Sequence, residues 1–225
     1  MYFSGTMIRQ ITSLIAKDIK LEFRNKFALF SVLLYVLTTV YVVFLAFNSI
    51  GLAKTWNAIY WIILIFAAVQ MSSRSFANDT RNRFWYTYQI VKPQALILSK
   101  IIFNSILLTF IGFLSYFLIQ LFLGSLIKDP LLFFLIIIVG SFGFSSVLTM
   151  VAGIASHTEQ NAAIMAILSI PLLFPLIIML MRASEYALLG LDTGDGFYNL
   201  IWLLGGLNIM IMVMSYILFP YLWRE

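Results

Sequence analysis

The chain holds one histidine, His157, and no cysteine, so its supply of chemistry-bearing side chains is short from the outset. Without cysteine there are no disulfides, zinc thiolate sites, iron–sulfur clusters or thiolate haem ligands. Gly143-Phe144-Ser145-Ser146 offers a serine nucleophile on paper. Activation needs a base in reach, and His157 lies further along the same apolar run by a rise of roughly 18 Å, so an intramembrane serine–histidine dyad is disfavoured. Beside Thr158, Glu159 and Gln160, His157 reads as a solvated loop residue or hydrogen-bond partner rather than a haem or metal ligand. Asp192-Thr193-Gly194-Asp195-Gly196 lacks the oxygen spacing of a calcium loop and reads as a turn. No glycine is followed by lysine, so the G-x-x-x-x-G-K-[ST] phosphate loop is absent and any pumping must draw its energy from a partner or an ion gradient.

What could position such residues is set by the composition. Of 225 residues, 62% are apolar and 10% charged, with mean hydropathy +1.00, 21 Phe and 11 Tyr. Soluble domains run at about 45–50% apolar and about 25% charged. This chain cannot coat a water-facing surface, so part of its solvent is lipid. At about 20 helical residues per crossing, six crossings use about 120 residues and leave no room for a large soluble domain. The apolar runs fall at 27–47, 56–73, 97–126, 131–156, 162–181 and 200–223. The first is too long for a signal-peptide core, and no small-residue cleavage site follows it, so it is expected to be retained. The reading is an all-α membrane protein, one transmembrane domain over 1–225, with six spans. Pro171 and Pro175 are expected to bend or break the fifth.

Lys and Arg placement sets the orientation. Arg9, Lys17, Lys20, Arg24, Lys26, Arg74, Arg81, Arg83, Lys92, Lys100 and Arg224 share one side, and Lys54, Lys128 and Arg182 share the other, a split of 11 to 3. Both termini are therefore expected in the cytoplasm. The net charge of +5 reflects this topology and not nucleic acid, because no soluble domain carries a basic stripe. Over 7–26 an interfacial helix is expected. Ile8, Ile11, Leu14, Ile15, Ile19 and Phe23 form an apolar face, and Arg9, Gln10, Lys17, Lys20 and Arg24 a polar one. Such a helix is either a membrane-surface anchor or an elbow on which a soluble partner pushes.

The cytoplasmic segment between the second and third spans is dense in charge and aromatics. Asp79 and Arg83 sit one helical turn apart, Arg81 lies between them, and Phe84, Trp85 and Tyr88 make an aromatic ridge. An interfacial aromatic belt and a docking surface for a partner both fit this pattern. In the fourth span Ser145, Thr149, Ala152 and Ser156 recur at helical steps near Gly140, Gly143 and Gly153, a small face that lets helices approach closely.

In order and spacing these features resemble the membrane subunits of ABC exporters, and more narrowly the haem exporter protein B family of cytochrome c maturation. The stretches that carry the resemblance are Arg74-Ser75-Phe76 with Asp79, the step from Pro93 to Lys100 into a long span ending at Gly124, and Ile170-Pro171-Leu172-Leu173-Phe174-Pro175-Leu176-Ile177. The resemblance implies an ABC-2-type, non-catalytic permease in the bacterial inner membrane. Its implied partners are a soluble ATPase subunit, further haem-handling membrane subunits and a second copy of this chain as a homodimer. It implies no directly bound cofactor, with ATP on the ATPase subunit and haem on companion subunits. The rival reading is a self-contained secondary transporter of a small or hydrophobic solute. That class needs an ionisable residue at mid-span, where this sequence has only Gln70, Asn104, Gln120 and Asn208.

Overall fold

A computed structural model describes residues 7–24, 26–47, 51–80, 92–156, 161–191 and 194–222. Among them are seven helices and no strand: α1 (Met7–Arg24), α2 (Lys26–Phe47), α3 (Ala53–Thr80), α4 (Pro93–Leu123), α5 (Pro130–Ala155), α6 (Asn161–Leu189) and α7 (Asp195–Leu222). Six of these, α2 to α7, are long and apolar enough to cross a bilayer. The all-α architecture with six spans and a separate N-terminal amphipathic helix is as expected.

α5 is the central helix, packed on α3, α4, α6 and α7. It can be central because its small residues, Gly140, Ser141, Gly143, Ser145, Ser146 and Thr149, are all buried and bring neighbouring backbones close. A Cβ on Gly140 would stand 2.9 Å from Cη2 of Trp61 on α3 and 3.0 Å from Cδ2 of Leu180 on α6. The small face read from sequence is thus a packing face. Around it lies an aromatic cluster: Trp56 stacks on Tyr60 at 5.7 Å, and Phe133 meets both edge-on. Three polar side chains of α3 donate to neighbouring helices, the arrangement a hydrocarbon surrounding favours, while Trp56 Nε1 and Asn57 Oδ1 are buried without a hydrogen bond. Trp61 Nε1 donates to Ser184 Oγ at 2.9 Å, Asn57 Nδ2 to the Met181 carbonyl at 2.8 Å and the Tyr60 hydroxyl to the Gly112 carbonyl at 3.2 Å.

Helix ends depart from the sequence reading where charge was taken for a boundary. α6 continues past Arg182 and Glu185 to Leu189, because Ala183, Ala187 and Leu188 are buried. It stops at Gly190, whose φ of +60° carries the left-handed turn, with the Leu191 N–H donating to the Tyr186 carbonyl in a Schellman closure. α7 starts at Asp195 rather than 200, since Phe197 is buried against Tyr186 with ring centres 5.4 Å apart. α3 runs on to Thr80.

Of the bend or break expected at Pro171 and Pro175, the break does not occur: α6 is helical without interruption from Asn161 to Leu189 with both prolines inside it. Each proline removes one backbone donor, but the two lie four residues apart on one exposed face, so the bonds of the opposite side hold the helix together.

Candidate functional site, an ionic node beneath the amphipathic helix

α1 has three faces, not two. Gln10, Leu14 and Asp18, four residues apart, are its buried residues and pack toward the bundle, chiefly against α4. Ile8 and Phe23 are 73% and 70% exposed, and Ile19 lies on the same side. Arg9, Lys20 and Arg24 are exposed on the third side. The sequence reading grouped Leu14 with Ile8 and Phe23 on one lipid-facing side and gave Gln10 to the basic one. The structure turns Leu14 and Gln10 inward with Asp18, because Asp18 has a cation to meet there.

That cation is Lys100, on the second turn of α4 and only 3% exposed. Its Nζ donates to the Ser75 carbonyl of α3 at 2.7 Å and stands 3.8 Å from Asp18 Oδ2. Lys17 Nζ lies 3.3 Å from the other oxygen, Oδ1. A buried ammonium is tolerated only when paired and hydrogen-bonded, and this one is held by two different helices. Beside it, Arg74 Nη1 of α3 donates to Ser31 Oγ of α2 at 2.8 Å. Glu22 of α1 is half-buried, and burial pushes its carboxyl above the ordinary range, opposed by the Arg74 charge and reinforced by Asp18. Asp18, Glu22, Arg74, Ser75 and Lys100 line a cavity of about 50 Å³ between α1, α2, α3 and α4, together with Val32, Met71, Phe103 and Asn104. At roughly 10–15 Å³ of such space per water, it has room for a few solvent molecules.

A polar seam between α4 and α5 leads inward from the cavity. Asn104 Nδ2 donates to Thr149 Oγ1 at 2.9 Å, and Ser145 Oγ donates to the Ile101 carbonyl at 2.6 Å. The Ser145 hydroxyl thus ties two helices together. Ser146 donates to the Phe142 carbonyl of its own helix.

Of the residues singled out for docking, Asp79 falls in the last turn of α3. Its side chain, together with Arg81, Arg83, Phe84, Trp85 and Tyr88, lies outside the described residues, as does His157. The node was missed by sequence reasoning, which counted Lys100 simply among the retained positive charges. Two signals pointed to it. Lys100 stands inside a helix opened by Pro93 and is followed by an apolar run, and Asp18 is an acid four residues beyond Leu14 in a segment where basic residues outnumber acids.

Residues 9–221 match the family described as CcmB protein, a stretch that takes in nearly all of α1 and all six spans. The chain belongs to the CcmB family. It is therefore a multi-pass membrane protein, the permease component of the haem-export and cytochrome c maturation system, and acts with other components of that system. No curated protein matches the chain. Within this CcmB permease the ionic node is the place where the amphipathic helix α1, the C-terminal part of α3 and the start of α4 are chemically joined.

Proposed function

We propose that this CcmB permease couples ATP hydrolysis on a separate soluble ATPase subunit to conformational change in the inner membrane of a bacterium, with both termini cytoplasmic. One observation carries the reading: Lys100 grips Asp18 of α1 and the Ser75 carbonyl of α3 at once, 2.7 Å from the latter. α3 runs directly on toward the charged aromatic segment 78–88, so a push on that segment is delivered to α1 and α4 together through a single ammonium. The absence of a phosphate loop supports an ATPase on another chain. The 11 to 3 distribution of basic residues supports the orientation. A homodimer completes the membrane portion, and companion subunits handle haem.

Purification of the tagged permease from native membranes tests this reading. A stoichiometric soluble ATPase that leaves with the permease is expected, and its absence under gentle extraction overturns the coupling. Orientation is checked by an introduced cysteine, convenient in a chain that has none: Leu52→Cys, exposed at the start of α3, should react with an impermeant maleimide from outside the inner membrane. Reaction from the cytoplasmic side alone would reverse the topology.

A further inference from the structure

The charges of α1 are sorted by face, and the structure shows which face meets the bundle. Both carboxylates, Asp18 and Glu22, line the cavity against the bundle. Arg9, Lys20 and Arg24 are exposed, and at about 100° of rotation per residue they share an arc of about 60°. Immediately beside that arc, on the side away from the bundle, lie Ile8, Ile19 and Phe23. A helix that turns its acids into the protein presents a cationic strip and an apolar strip edge to edge. We infer that this outer surface of α1 binds anionic phospholipid headgroups, with Ile8, Ile19 and Phe23 seated at the acyl boundary and Arg9, Lys20 and Arg24 on the phosphates.

The choice of lipid over an acidic protein surface rests on the apolar strip. Phe23 and Ile8 are 70% and 73% exposed next to the cations. A bilayer surface supplies hydrocarbon and phosphate side by side at that spacing, and an interfacial helix takes up both. A water-soluble acidic partner would leave the apolar strip to water. The inference stands on the placement of α1 and is independent of ATPase coupling.

Native mass spectrometry of the full chain, delipidated and titrated with dioleoyl phosphatidylglycerol or dioleoyl phosphatidylcholine, reads the preference directly. The wild-type chain is expected to retain phosphatidylglycerol at least tenfold better, less so as salt is raised. The triple variant Arg9→Gln, Lys20→Gln, Arg24→Gln should lose that preference. All three side chains are exposed, so folding is not at stake, and Arg9→Lys with Arg24→Lys should keep it because charge alone is read. Equal retention of both lipids by the wild-type chain, or an undiminished preference in the triple variant, overturns the proposal. So does a triple variant that keeps its lipid preference while losing a co-purifying ATPase, which would make the strip a protein-docking face.

Discussion

Asn208 of α7 and Gly143 of α5 are fitted to one another. The Asn208 amide donates through Nδ2 to the Val139 carbonyl at 3.1 Å, and a Cβ on Gly143 would lie only 2.5 Å from Asn208 Oδ1. Leu176 of α6 crowds the same point, with Cδ1 at 2.8 Å. Three helices therefore meet at a position where only a glycine fits.

Gly143→Ala consequently destabilises the bundle. Alanine recovers about 1 kcal/mol of helix propensity, while overpacking costs about 1–3 kcal/mol, and Asn208 cannot swing away without losing the Val139 bond. A lower midpoint of thermal unfolding in detergent is expected, and the drop should shrink in an Asn208→Ala background. A midpoint unchanged or raised by Gly143→Ala would show that α5 and α7 do not pack as described.

At the ionic node the two single substitutions should be unequal. Asp18→Asn leaves a buried ammonium without its carboxylate, whereas Lys100→Met leaves a carboxylate that still has Lys17 beside it and some access to water. Breaking a buried pair costs about 3–5 kcal/mol, so Asp18→Asn is expected near the lower end of that range and Lys100→Met below it. The double variant should recover part of the loss. Thermal unfolding and protease release of α1 measure both, and equal effects of the two single variants would deny that Lys100 is the buried partner.

The spans were legible in the sequence because hydrocarbon imposes one long-range rule, an unbroken apolar run, that needs no knowledge of neighbours. The packing role of the Gly143 to Thr149 stretch was legible for the same reason, since small residues in such a run have few other uses. The node was not, because Asp18 and Lys100 are separated by two whole helices, and the local signs at each residue do not name the other as its partner. Helix ends at Arg182 and Glu185 misled because charge was read as the edge of the helix. The helix ends instead at Gly190, where the sequence did carry a left-handed stop.

Glu22 gives the node a pH dependence of definite sign. Burial raises its carboxyl above the ordinary 4.5, against the opposing Arg74 charge, so the folded protein holds this proton more tightly than the unfolded chain does. Its contribution to stability is present below pH 4.5 and is lost as pH rises through the raised value. Glu22→Gln, which mimics the protonated form, should therefore stabilise the protein at neutral pH and converge with wild type near pH 4. Melting curves across that range decide it, and a variant less stable than wild type at neutral pH would mean that the Arg74 attraction dominates.

Docking of the ATPase subunit through segment 78–88 predicts that Phe84→Ala and Trp85→Ala each weaken association by about 1–2 kcal/mol, as truncation of an aromatic anchor does. Pull-down of the ATPase with each variant, and with both together, measures the loss. An undiminished yield from the double variant would return these rings to an ordinary membrane-interface belt.

Haem is expected not to bind stably to this chain on its own. Axial ligation uses His, Met, Cys or Tyr fixed in a pocket, and here cysteine is absent while the one histidine, His157, falls on the cytoplasmic side by the proposed topology. Met165 is buried in the apolar core, where a thioether ordinarily fills packing gaps. Met179 and Met210 do face a common open groove on α6 and α7, with Asn199 and Trp202, but no histidine is among the described residues that line it. A methionine pair on a lipid-facing surface lacks the strong nitrogen donor that most haem sites rely on. Absorbance titration of the purified chain in detergent should therefore give no saturable Soret shift. A shift at one haem per chain that His157→Ala abolishes would move haem handling onto this subunit through the segment between α5 and α6, and one that Met210→Leu abolishes would move it into the groove of α6 and α7. Either result would overturn the assignment of haem to companion subunits.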